Sequence, residues 1–299
     1  MAVRDLPIIG DDFNVGFRFQ RYWDTSMANA FFSAETGAGL FFVSLLMGFV
    51  PGMVGGLLIC GIFKSYFHLA HMGVPAKSWR AMLRPDRSWI SRGVISIVFF
   101  MGFGVVHTAN IGLGLEATIG FGPVFTGLIK VIAGAAALMV MTYQGFAMSH
   151  STAIALWSTG VMPITSLVYA STSGLFIVLA VGWNGFLGDD PELRRALTYV
   201  ALGGLGVIAA LLLSLLHAAH HGSPGGSKSV ELLTRTVYAK WFYGATCAVG
   251  ILVPATLLML SAGFGSIVIA AVAMLIGFYA FRVLIFKAGV FEPIMSFKP

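Results

Sequence analysis

The chain has 299 residues, 58% of them hydrophobic and 10% charged, with a mean hydropathy of +0.88, a value that excludes an ordinary water-soluble domain and predicts an integral membrane protein. The formal charge of +6 raises nucleic acid as a partner, but the basic residues flank apolar runs instead of forming stripes with stacking aromatics, so membrane topology accounts for them and no nucleic-acid partner is expected. Cys60 and Cys247 lie in separate apolar runs without CxxC or Cys/His spacing, which excludes an iron–sulfur cluster held by cysteines of this chain alone.

Residues 1 to about 28 are polar and aromatic, with Asp5, Asp11, Asp12 and Asp24 against Arg4, Arg18 and Arg21. They predict a surface arm, residues 1–30, that could dock onto a partner. It has no apolar segment followed by a small-residue cleavage site, so no removable signal peptide is expected. The first span is predicted from about Phe31 to Val50, with Glu35 near its start, and Pro51-Gly52 predicts the turn into a second span from about Met53 to Ala70. A third span runs from near Gly93 to about Leu115, and after the EATIGFGP connection a fourth ends near Met148, carrying Lys130 and Tyr143. Beyond the loop SHSTAIALWSTG the fifth covers Val161 to Gly182 and the sixth about Thr198 to Leu216. HAAHHGSPGGSKS then predicts a flexible polar loop with three histidines. Trp241 to Leu260 and Gly265 to Phe286 complete an all-α, polytopic bundle of about eight spans over residues 31–288, with a tail at 289–299.

Eight spans put both ends of the chain on one side. Fifteen of the eighteen Lys and Arg residues then share that side, Arg194 and Arg195 lie opposite, and Lys130 falls within a span. The asymmetry predicts both termini in the cytoplasm, in a bacterial or archaeal cytoplasmic membrane.

The stretch Lys64 to Arg92 joins the second span to the third with six basic residues, two histidines and one acid, so it cannot face lipid. Lys64, His68 and His71 follow one helix face at i, i+4 and i+7. Histidine titrates near neutrality and can exchange protons with a quinone carbonyl. On the predicted topology Glu35, Tyr143 and Arg282 reach corresponding depths on the same side. The plainer alternative is that Lys64 and Arg282 snorkel and Tyr143 belongs to an aromatic belt. A membrane haem b would need two facing histidines, and only His107 lies well inside a span. A stand-alone transporter of a small solute or ion is the third class, although no inverted repeat of the junction is visible.

The junction HMGVPAKSWRAMLRPDRSWISR resembles a stretch in the membrane-anchor subunits of molybdoenzymes of the dimethyl-sulfoxide-reductase type, within a broader family that includes polysulfide and nitrite reductase anchors. TGAGLFF, TYQG and FRVLIFKAGVF extend the resemblance over nearly the whole chain. It implies an eight-helix subunit that binds quinone, either menaquinone or ubiquinone, and holds no metal of its own. Its partners would be an iron–sulfur subunit and, through that, a molybdopterin catalytic subunit, as in anaerobic respiration. It also implies that His71, Tyr143 and Arg282 contact the quinone, with Lys64 and Glu35 as further candidates. The chain departs from the family pattern at Met72, at Lys77 and at Gly93, where an acid is common. The last departure removes a carboxylate that could carry protons, for which Glu35 is the available substitute.

Overall fold

The computed structural model describes residues 16–115, 122–260 and 263–292. The start of the predicted arm, most of the EATIGFGP connection and the end of the tail fall outside them. Among the described residues eight helices are long and apolar enough to cross a membrane: α1 (Thr25–Met47), α2 (Val50–His71), α3 (Trp89–Leu113), α4 (Pro123–Ser149), α5 (Val161–Gly182), α6 (Pro191–Gly222), α8 (Lys240–Leu260) and α9 (Phe264–Lys287). A ninth, α7 (Pro224–Arg235), is short and amphipathic. The polytopic helical bundle read from the hydropathy is the observed architecture.

Local chemistry sets where these helices begin. Asp24 Oδ1 accepts from the backbone N–H groups of Ser26 at 2.9 Å and Met27 at 3.2 Å, so α1 starts about six residues ahead of the apolar run. At its other end Gly48 adopts the left-handed conformation, φ +72°, that a side chain would strain. Pro51 therefore does not form the turn into α2; it sits in the first turn of α2, where a missing N–H costs nothing.

The sixth span departs most from expectation. The HAAHH segment is not loop but the end of α6, because Leu212, Leu215 and Ala219 carry the buried stripe to Gly222. Nor is SPGGSKS flexible linker. Ser223 caps α7, accepting from the Gly226 N–H at 3.0 Å, and Pro224 opens the helix.

Small residues bring the helices together. A Cβ on Gly39 of α1 would stand 1.9 Å from the Ala170 carbonyl oxygen of α5, and one on Gly174 would stand 2.4 Å from Gly39. Gly250 of α8 and Gly277 of α9 meet in the same way, with added Cβ atoms 2.5 and 2.1 Å from the facing Cα. Such contacts gain dispersion energy that lipid cannot supply to separated helices. Three apolar clusters result, the smallest made of Leu40, Phe49 and Val178. Of the two larger ones, one joins α1 through α4 around Phe41, Met53, Phe100 and Met141, and the other joins the start of α1 to α5, α6, α8 and α9 around Phe31, Phe176, Leu205, Phe278 and Phe286.

The loops at the basic end are knitted into one cap. β1 (Arg18–Phe19) pairs antiparallel with β2 (Val290–Phe291), and the Gln20 N–H donates to the Gly289 carbonyl at 2.8 Å. Trp23 stacks on Trp157 at 5.1 Å, whose indole N–H donates to the Ile285 carbonyl at 2.8 Å. The described part of the arm is therefore fastened to its own chain, by the β1–β2 pair and by the Trp23 ring packed on Phe31, Trp157 and Phe286.

Candidate functional site

The residues that open α3 build the junction. Ser88 caps the helix by accepting from the Ser91 N–H at 3.2 Å, and the Ser91 hydroxyl donates to the Ala81 carbonyl. Arg92 spans the turn, donating to the carbonyls of Pro85 at 2.7 Å and Asp86 at 3.0 Å, while its guanidinium lies 4.4 Å from the Trp89 ring. Trp89 in turn stacks on Phe146 of α4 at 4.2 Å and donates to His150 Nε2 at 3.3 Å. The Ser-Trp-Ile-Ser-Arg segment thus shapes the loop through side-chain bonds to main-chain carbonyls.

Glu35 and Arg282, both fully buried, face each other across α1 and α9. Arg282 Nη2 donates to Glu35 Oε1 at 2.7 Å and to the Ser166 hydroxyl of α5 at 2.9 Å. Arg282 Nε also lies 2.7 Å from Glu35 Oε2, an ion-pair contact by distance whose angle is not that of a hydrogen bond. Gln144 of α4 completes the carboxylate's surroundings. Its amide is assigned with nitrogen toward Glu35 Oε1 at 3.2 Å and the Phe31 carbonyl at 3.1 Å, and oxygen accepting from the Tyr143 hydroxyl at 3.3 Å, because the reverse sets like against like. Four spans therefore converge on one ionic centre. Snorkelling of Arg282 to an interface and a belt position for Tyr143 are both incompatible with this burial, since Tyr143 is 4% exposed.

Gln144 and Ser166 were not among the expected site residues. Their signal in the sequence was weak, since polar uncharged residues in spans usually serve packing or back-bond their own helix. Gly93 acquires a reason in this setting. A Cβ there would stand 2.0 Å from Tyr143 Cδ2, so the Tyr143 ring occupies the space of any side chain at position 93.

His71 stands apart from the ionic centre, at the end of α2. Its Nδ1 lies 3.2 Å from Asp24 Oδ1, the oxygen that caps α1, and its side chain is 27% exposed. Lys64, 5% exposed, sits lower in a π-helical turn, Ile59–Lys64, one turn from Cys60, whose thiol reaches the Ala34 carbonyl at 3.4 Å. A π-helical turn shifts the faces of the helix around it and often marks functional sites. An apolar groove of about 400 Å³ opens between α1, α2, α5 and α9, lined by Phe32, Thr36, Ile59, Phe63 and Phe67 among others. His71 is not part of its lining; it lies one helical turn beyond Phe67 on α2.

His107, 2% exposed, has no hydrogen-bond partner for either ring nitrogen among the described residues. It lies 18 residues along α3 from Trp89, about 27 Å at 1.5 Å per residue. His150 contacts Trp89, His68 and His71 close α2, and His217, His220 and His221 are exposed at the end of α6. The six other histidines thus lie at the basic end, and none faces His107 as a bis-histidine haem would require.

No curated protein matches the chain. A protein-family model described as polysulphide reductase, NrfD, matches residues 15–293, which takes in all eight spans, the junction and the Glu35–Arg282 centre. On that match the chain belongs to the NrfD family, the membrane-anchor subunits of molybdoenzyme complexes.

Proposed function

We propose that this chain binds quinone and exchanges electrons between the membrane quinone pool and an iron–sulfur subunit that serves a molybdopterin catalytic subunit, with both termini in the cytoplasm. The observation that carries the quinone part is the apolar groove lined by Phe63 and Phe67 of α2, the helix that carries, one turn beyond Phe67, His71, the side chain best suited to trade a proton with a quinol hydroxyl. A lipophilic redox substrate needs an apolar slot and a group that exchanges its proton, and α2 carries Phe67 of the first and His71 for the second one turn apart.

His71 accepts the proton that leaves the substrate hydroxyl, and the Asp24 carboxylate stabilises the imidazolium and fixes the ring. Lys64 adds positive charge at the same end of α2, favouring a deprotonated oxygen nearby. Glu35, Arg282 and Tyr143 hold the spans around the site in register and contribute its buried charge. His71→Ala is expected to abolish quinol-coupled turnover while the subunits still co-purify; unchanged turnover sinks the assignment. The partner reading is tested by tagging the chain and assaying the material that accompanies it for iron and molybdenum. A chain that emerges alone and metal-free, under conditions that preserve respiratory complexes, refutes it.

A further inference from the structure

A second apolar groove, of about 500 Å³, opens between α8 and α9, and unlike the groove lined by Phe63 and Phe67 it has lysines in its lining. Its walls are Ala245, Ile276, Tyr279, Ala280 and Val283, with Trp241 and Tyr238 toward its upper part. Ala245 and Ala280 leave the slot open where larger side chains would close it. Gly250 and Gly277 draw the two helices together below it. At the mouth stand Lys240, the first residue of α8, and Lys287, the last of α9. Because the helices run in opposite directions, these two ends lie at one membrane depth, the level where headgroups begin. Both lysines are exposed, and no carboxylate among the described residues forms a salt bridge with either.

We infer that this groove binds one anionic phospholipid, with its phosphate between Lys240 and Lys287 and an acyl chain lying between α8 and α9. Charge complementarity selects the occupant: two cations without a carboxylate partner among the described residues, above a slot of alkyl and aromatic side chains, match a headgroup carrying negative charge on a hydrocarbon tail. Trp241 and Tyr238 suit the same depth, where an amphipathic ring meets both phases. From Ile276 to Lys287 the wall extends eleven residues, about 16 Å of helix, so the tail lies along the span instead of merely touching its rim. The lysines hold the lipid by charge, and the alanines admit its chain.

The test uses the full chain, purified in mild detergent with the subunits that accompany it and offered equal amounts of phosphatidylglycerol and phosphatidylcholine. Native mass spectrometry then reads which lipid is retained. A basic residue near a membrane surface favours anionic lipid about fivefold, so Lys240→Gln with Lys287→Gln should lower the preference for phosphatidylglycerol about 30-fold and each single change about fivefold. Arg80→Gln with Arg84→Gln removes the same charge at the same end but outside the groove, and should leave the preference intact. The inference is overturned if the lysine variant retains the wild-type preference or the arginine variant loses it equally. It is also overturned if the adduct that depends on the lysines has the mass of a quinone. Elution of all variants at the wild-type volume on size exclusion separates lost binding from lost fold.

Discussion

Removing the carboxylate of Glu35 should be more damaging than removing the whole ion pair. In Glu35→Ala, Arg282 keeps only the Ser166 hydroxyl at 2.9 Å among its polar contacts and remains fully buried. A buried charge stripped of its partner costs about 3–5 kcal/mol, because desolvation is no longer offset by Coulombic attraction. At about 2–4 °C per kcal/mol for a chain of this order of size, the apparent melting temperature should fall by about 10 °C. Arg282→Leu should fall by a similar amount, leaving an anion beside Gln144. Glu35→Leu combined with Arg282→Leu should recover most of the loss, since neither charge is then stranded. Detergent-solubilised variants can be compared by the temperature at which the monodisperse size-exclusion peak disappears. Should Glu35→Ala melt within about 2 °C of wild type, or the double variant be as unstable as the sum of the singles, the ionic centre is not the linchpin of these four spans.

Gly39→Ala should cost about 1–3 kcal/mol by forcing α1 from α5, as its Cβ would stand 1.9 Å from a backbone oxygen that cannot swing away; a melting temperature equal to wild type would contradict that packing. Gly93→Ala should displace the Tyr143 ring, so the same substitution in a Tyr143→Ala background should be nearly neutral, and additive losses in a double-mutant cycle would refute the contact. Asp24→Asn keeps an oxygen to cap α1 but removes the anion beside His71, whereas Asp24→Ala removes both. Asn should therefore preserve stability and lower quinol turnover, and Ala should in addition cost about 1 kcal/mol. Equal effects of the two substitutions in both assays would dissociate His71 from its partner.

The sequence by itself determined the eight spans, the basic end and the junction, because mean hydropathy, charge placement and capping residues are properties of local runs. Val161 to Gly182 was legible to the residue for that reason. The end of α6 was not, since polar histidines at the basic end obscured a buried stripe that continues through Leu215 and Ala219. Glu35 and Arg282 could be singled out separately because ionisable groups are costly at membrane depth. That they pair, and that Gln144 and Ser166 complete the centre, only the tertiary structure decided: their partners are brought together by helix packing across as many as 247 positions of sequence. Gly93 shows the same division. Its identity is local, but the reason for it is a tyrosine ring on another span, and no run of neighbouring residues encodes where that ring lies.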